Sequence, residues 1–142
     1  MQILDKSNYF KGLLLLIKKD NQMNEDEREL LKKIGKVLGF EKKFYENAIR
    51  EILNNQFITQ DPPKFSDKKI AECFIKDGVR LAKLDTILHQ REIEWLERIC
   101  LENNLTKDWF REVLDESPTG DYKVNIESLE IEDFIAAFES VT

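Results

Sequence analysis

The sequence predicts an all-α fold, a single compact helical domain of about seven helices over residues 1–142, built from two pseudo-symmetric helical-hairpin repeats. Three observations predict it. Charged residues make up 35% of the chain, beside many Leu and Ile, with only five glycines and three prolines, a composition typical of helical proteins. No segment alternates apolar and polar residues for long enough to indicate a strand. The chain also aligns with itself without a gap at an offset of 65 residues.

The internal alignment places residues 20–49 on residues 85–114. Its identical pairs are Asp20/Asp85, Glu27/Glu92, Glu29/Glu94, Leu31/Leu96, Ile34/Ile99 and Lys42/Lys107. Gly39 pairs with Asn104, and these are the residue types that most readily adopt the left-handed conformation that ends a helix. This agreement in physical role predicts two copies of one helix–turn–helix pattern.

Repeat one, about residues 7–55, is predicted to contain three helices. Their predicted bounds are about 7–19, 25–38 and 41–55. The apolar run Leu13–Ile17 gives the first helix an inward face. Asn24 and Glu27 have the spacing of a capping box, in which each side chain bonds the other residue's backbone N–H. They therefore predict the start of the second helix.

A connector, about residues 56–65, separates the two repeats. Its Pro62-Pro63 pair excludes helix there. Ser66 or Asp67 is predicted to cap the following helix. The connector therefore ends where repeat two begins.

Repeat two, about residues 66–115, is predicted to contain three helices that match those of repeat one. Their predicted bounds are about 66–84, 89–103 and 107–115. His89 is expected to lie at the start of the fifth helix, and Thr106 is a good N-cap for the sixth. A break at 117–123 is followed by a short tail helix, about 127–141, whose apolar residues predict packing against the body of the domain.

Charge and apolar content exclude several classes of function. The net charge is −6, so nucleic acid is not an expected partner, because phosphate binding needs a positive surface. The run Leu13–Ile17 is far too short to cross a bilayer, so membrane insertion is not expected either. We expect a cytoplasmic protein in which Cys73 and Cys100 are free thiols.

The residue inventory does not predict an enzyme. His89 is the single histidine, so one chain cannot form a site with several histidine ligands, and one histidine would have to serve both cysteines. The sequence contains no glycine-rich phosphate loop. Paired carboxylates can do acid–base work, but no substrate pocket is indicated.

Four carboxylates fall at matched places in the two predicted turns. Asp20 and Asp85 follow the apolar stripes of the first and fourth helices, and Glu27 and Glu92 precede those of the second and fifth. The stretch from Asp20 is not an EF-hand, because a glutamate stands where that loop needs glycine and a leucine stands at its last ligand position. An aspartate at a helix C-terminus costs about 0.3–1 kcal/mol when unpaired. Its use in both copies predicts a function in the turns.

The segments "IKKDNQMNEDERELLKKIGKVLGF" (17–40) and "LAKLDTILHQREIEWLERICLENNL" (81–105) resemble the TerB-like (tellurite-resistance TerB) family. In both, a helix ending in Asp is followed by a short polar turn and a second helix with a fixed Glu. The resemblance covers about residues 7–115 and leaves the tail uncovered. Asn21 and Thr86 stand where the family has glycine.

The resemblance implies an all-helical domain with two related hairpins and a stress-response binding function. It also implies a metal site formed by Asp20, Glu27, Asp85 and Glu92, for which calcium or magnesium suits the oxygen ligands best. The alternative is a scaffold domain without metal, in which these acids cap helices and fix turns. In either case we expect a protein partner, and a homodimer is compatible with the sequence.

Overall fold

The computed structural model describes residues 1–55, 58–84, 89–116 and 129–141. The side chains of Asp20 and of residues 138–141 lie outside that description. Seven α-helices account for most of the described residues, which contain no strand. The helices are α1 Ile3–Asp20, α2 Glu25–Val37, α3 Lys42–Glu51, α4 Lys68–Ala82, α5 Gln90–Glu102, α6 Lys107–Glu116 and α7 Glu130–Val141. The predicted all-α fold is therefore confirmed.

Two predicted helix bounds differ from the observed ones by about four residues, and the others lie within about three residues. The first helix begins at Ile3 rather than at about residue 7. Asp5 in its first turn is buried and accepts hydrogen bonds from the backbone N–H (3.0 Å) and the hydroxyl of Ser66. This contact joins residues 61 positions apart, so the local pattern could not reveal it. The third helix ends at Glu51, and a 3-10 turn, Ile52–Asn54, completes it.

The helix bounds recur along the chain. The first and last residues of α2 and α3 precede those of α5 and α6 by 65 positions, and α1 begins 65 positions before α4. Gly39 and Asn104 both have positive φ, 88° and 64°, as predicted. The backbone N–H groups of Phe40 and Leu105 then donate back into α2 and α5, at 3.1 and 2.8 Å.

Helix α1 lies in the interior of the packing. It contacts α2, α4 and α5, and Tyr9, Leu13 and Ile17 on it are fully buried. Buried side chains from all seven helices or their flanking turns join one apolar cluster. None of the described helices combines the length and the apolar character needed to span a bilayer.

Helix α7 docks mainly on α4 through a buried carboxylate. Asp77 of α4 is fully buried and accepts hydrogen bonds from the hydroxyl of Tyr9 at 2.6 Å and from the guanidinium of Arg80 at 3.0 Å. The first backbone N–H groups of α7, those of Glu130 and Ile131, donate to the same carboxylate at 2.8 and 3.1 Å. We call these five residues the Asp77 cluster. It satisfies two of the N–H groups that a helix start leaves unpaired.

A glycine sets the distance between α2 and α3. A Cβ on Gly35 would lie 2.8 Å from both Cβ and Cγ of Tyr45, atoms too close to the α3 backbone to move aside. We expect Gly35→Ala to lower the free energy of unfolding by about 1–2 kcal/mol, because overpacking outweighs the better helix propensity of alanine. Chemical denaturation measures this change.

The neighbouring exposed position Lys36 supplies the control. Comparing Lys36→Ala with Lys36→Gly gives the alanine–glycine preference of the same helical turn without the Tyr45 contact, about 1 kcal/mol in favour of alanine. If Gly35→Ala stabilised the protein by a similar amount, α2 and α3 would not be held in close approach by this glycine.

Candidate functional site

Glu27 is the third residue of α2, the second helix of the first hairpin. Its side chain is 1% exposed, and its Oε1 accepts a hydrogen bond from the backbone N–H of Asn24 at 2.9 Å. The backbone N–H of Glu27 donates to Oδ1 of Asn24 at 2.8 Å. The predicted capping box is therefore confirmed, and it fixes the start of α2.

Glu92 occupies the same place in the second hairpin. It is the third residue of α5, as Glu27 is of α2, and it is also 1% exposed. The residue before the helix is His89, whose side chain makes no capping hydrogen bond. The two glutamates therefore share position and burial, but the local capping arrangement differs between the two turns.

The two aspartates lie at the limits of the description. Helix α1 ends at Asp20, whose side chain is outside the described part, and Asp85 lies wholly outside the described residues. Asn21, which follows Asp20, has a φ of 60° in the left-handed region, and its N–H donates to the carbonyl of Lys18 at 3.0 Å. Asparagine tolerates this conformation better than other non-glycine residues. Asn21 therefore has the left-handed conformation that glycine adopts most readily.

The described residues do not by themselves hold a cation. Within residues 1–55, 58–84, 89–116 and 129–141 no group of three or more His, Cys, Asp and Glu side chains could bind a metal ion. Calcium takes roughly six to eight oxygen ligands, and one oxygen of Glu27 already accepts the Asn24 N–H. A cation site at the hairpin turns would thus need the carboxylates of Asp20 and Asp85 as well.

The cysteines lack the environment of a nucleophile. Burial, followed by the nearby carboxylate of Asp77, raises the pKa of Cys73 to about 12. Burial, followed by Glu97, raises the pKa of Cys100 to about 12. Reactive cysteines need a lowered pKa, because the thiolate is the attacking species. Both thiols are free, as the sequence predicted.

Sequence reasoning missed two polar arrangements. Asp77, the most deeply buried carboxylate among the described residues, lies three residues after Phe74 and four before Leu81, on the apolar face of α4. An acidic residue on the apolar face of a helix predicts that its carboxylate is hydrogen-bonded or ion-paired in the fold. The second arrangement is a basic pocket that pairs Lys19 of α1 with α5. No local pattern could pair residues so far apart in the chain.

Comparisons with known proteins returned nothing similar. A scan of protein-family models, a search of curated proteins and a search of solved structures each found no match to this chain.

Proposed function

We propose that this chain is a non-enzymatic binding module of the TerB-like kind, built from two copies of one helical pattern. The recurrence of helix bounds at 65 residues supports the duplication. So do the positive φ angles of Gly39 and Asn104, which end α2 and α5 in the same way. The left-handed Asn21 supports a TerB-like first turn, since it has the conformation that a glycine would adopt.

We infer that the turn acids serve structure, and that the module acts through a protein partner. The observation that supports the structural role of the acids is the reciprocal pair of hydrogen bonds between Asn24 and Glu27. It gives Glu27 a structural role in the first turn of α2, where a carboxylate also suits the helix dipole. In this proposal the hairpins form a rigid scaffold with fixed turns.

The second candidate is a divalent-cation site at the two turns. Its support is that Glu27 and Glu92 are each the third residue of their helix and are equally buried, so the two turns present carboxylates at matched places. Calcium or magnesium would be held by Asp20, Glu27, Asp85 and Glu92 through carboxylate oxygens, the ligands that these ions prefer.

Substitution of glutamine for the two glutamates separates the proposals. Glutamine still accepts a hydrogen bond in a capping box, but it lacks the charge that a hard cation needs. If the acids serve structure, we expect calcium, magnesium and manganese to give no saturable heat in calorimetry and no shift of the melting temperature. We then expect Glu27→Gln to retain most of the stability and Glu27→Ala to lose about 0.5–2 kcal/mol.

The cation proposal gives the opposite pattern. One of the three ions would then bind with saturable heat, and both Glu27→Gln with Glu92→Gln and Asp20→Asn with Asp85→Asn would abolish that heat. Exposed Glu29 is the control, because it is also shared between the repeats and Glu29→Gln should leave any binding intact. Saturable heat that the paired substitutions remove would overturn the structural role of the acids.

A further inference from the structure

A pocket of about 300 Å³ lies between the last turn of α1 and the outer face of α5. We call it the basic pocket, and its lining residues are Lys19, Arg91, Glu94, Trp95 and Arg98. Positions 91, 95 and 98 lie on one stripe of α5, because residues four and seven apart share a helix face. The Nζ of Lys19 lies 4.5 Å from the centroid of the Trp95 ring. The volume is at the lower end of the range of small-ligand sites.

The charge of the pocket is opposite to that of the whole chain. The net charge of the protein is −6, yet three cationic side chains and one carboxylate line this pocket. Arg91 forms no ion pair among the described residues, whereas Arg98 lies 3.6 Å from the carboxylate of Glu102. Burial, followed by the positive charges of Arg98 and Arg91, lowers the pKa of Lys19. Lys19 Nζ donates to the neutral Oε1 of Gln60 at 2.6 Å, which does not neutralise its charge. An anion would therefore relieve the repulsion that Lys19 and Arg91 exert on each other.

Trp95 forms part of the wall of the same pocket. Its side chain is 4% exposed, and its Nε1 is buried with no hydrogen-bond acceptor among the described residues. Because Lys19 lies over the face of this ring, Trp95 is a reporter for a ligand that binds Lys19.

The donors define the class of ligand. The two guanidinium groups present planar forks that match phosphate oxygens, and Lys19 adds a point charge. Three cations suit a dianion better than a single carboxylate. We propose that the basic pocket binds a phosphate group, either inorganic phosphate or the phosphate of a small phosphomonoester, through Lys19, Arg91 and Arg98.

This proposal goes beyond the binding-module function and does not depend on it. The phosphate pocket uses no candidate cation ligand, and a failure of the cation test leaves it unchanged. Glu94 at the pocket distinguishes the two phosphate sources. Its carboxylate repels bare phosphate, but it can accept a hydrogen bond from a hydroxyl or ammonium group carried by a phosphomonoester.

Titration of the folded chain tests the proposal. The protein contains two tryptophans, so the indole N–H of Trp95 gives one of two resonances in a proton–nitrogen correlation spectrum, assigned with Trp109→Phe. We expect inorganic phosphate or O-phosphoethanolamine, added at constant ionic strength, to move this resonance saturably. Arg91→Gln and Arg98→Gln should each weaken binding by about tenfold or more, since each removes charged hydrogen bonds.

Arg111 is the matched control. It is an exposed arginine on α6 that does not line the pocket, so Arg111→Gln should leave the titration unchanged. Tighter binding of O-phosphoethanolamine than of phosphate would identify a phosphomonoester as the ligand, and equal binding would identify the phosphate group alone. An unsaturable shift, a shift that chloride reproduces, or one that survives Arg91→Gln with Arg98→Gln would overturn the proposal.

Discussion

Asp77→Ala is expected to lower the free energy of unfolding by about 3–5 kcal/mol, the range found when one partner of a buried charged network is removed. The substitution would leave the hydroxyl of Tyr9, the guanidinium of Arg80 and the first two N–H groups of α7 without their shared acceptor. Each unmatched buried donor costs about 1–3 kcal/mol. Chemical denaturation followed by circular dichroism measures the loss.

In Asp77→Ala, the loss of stability should be accompanied by detachment of the start of α7 from α4. Helix α7 is held at its start by the Asp77 carboxylate and by the 3.0 Å ion pair between Arg80 and Glu130. We therefore expect faster hydrogen exchange at Glu130 and Ile131 in Asp77→Ala than in the unchanged protein. Asp61→Ala, at an exposed position of the connector, should change stability by less than about 0.5 kcal/mol.

Asp77→Asn adds a test of charge. Burial raises the pKa of Asp77, while hydrogen bonds from Tyr9 and from the start of α7 oppose that rise. A carboxyl whose pKa is higher in the folded state contributes most below its unfolded pKa, and that contribution falls as the pH rises through the folded pKa. Relative to Asp77→Asn, the unchanged protein should therefore lose stability as the pH rises from the unfolded-state pKa of Asp77 to its higher folded-state pKa. If Asp77→Ala cost no more than Asp61→Ala, the cluster would not hold α7.

Local chemistry made much of the fold predictable. The capping box at Asn24 and Glu27, the left-handed Gly39 and Asn104, and the N-cap at Thr106 all depend on residues within about one helical turn. Such signals are carried by backbone geometry and short-range hydrogen bonds, so the sequence alone reveals them.

The other features depend on contacts between residues that are far apart in the sequence, so local patterns did not predict them. The start of α1 depends on a contact between Asp5 and Ser66, and the basic pocket depends on Lys19 meeting Trp95. Comparison of the two repeats also selected as candidate site residues only those acidic residues that occur in both. Asp77 is not one of them, because the position 65 residues earlier is Gly12. A search for shared residues therefore passes over the carboxylate with the most extensive hydrogen bonding in the described part of the chain.

Asn103→Ala is expected to cost about 2–4 kcal/mol, because it removes the hydrogen-bond partner of the Phe65 backbone N–H and of the Pro63 carbonyl. The Oδ1 of Asn103 accepts from the backbone N–H of Phe65 at 2.9 Å. Its Nδ2 donates to the carbonyls of Pro63 and Ile99, each at 2.9 Å. One side chain thus joins the connector between the two halves to the end of α5. The connector also accepts hydrogen bonds from α1, since Asn8 donates to the Lys64 carbonyl at 3.3 Å and Lys11 Nζ to the Thr59 hydroxyl at 2.9 Å.

Two further substitutions identify the cause of the loss at Asn103. Asn103→Asp keeps an acceptor for Phe65 but removes both donors and directs a carboxylate at two carbonyls, so it should be at least as destabilising as alanine. The neighbouring Asn104 has positive φ, so Asn104→Gly should be nearly neutral, because glycine adopts that conformation readily. Hydrogen exchange at the Phe65 amide reports the contact directly. Unchanged protection of that amide in Asn103→Ala would show that the connector is held by its apolar contacts, such as those of Phe65 with Tyr9 and Phe74, rather than by this side chain.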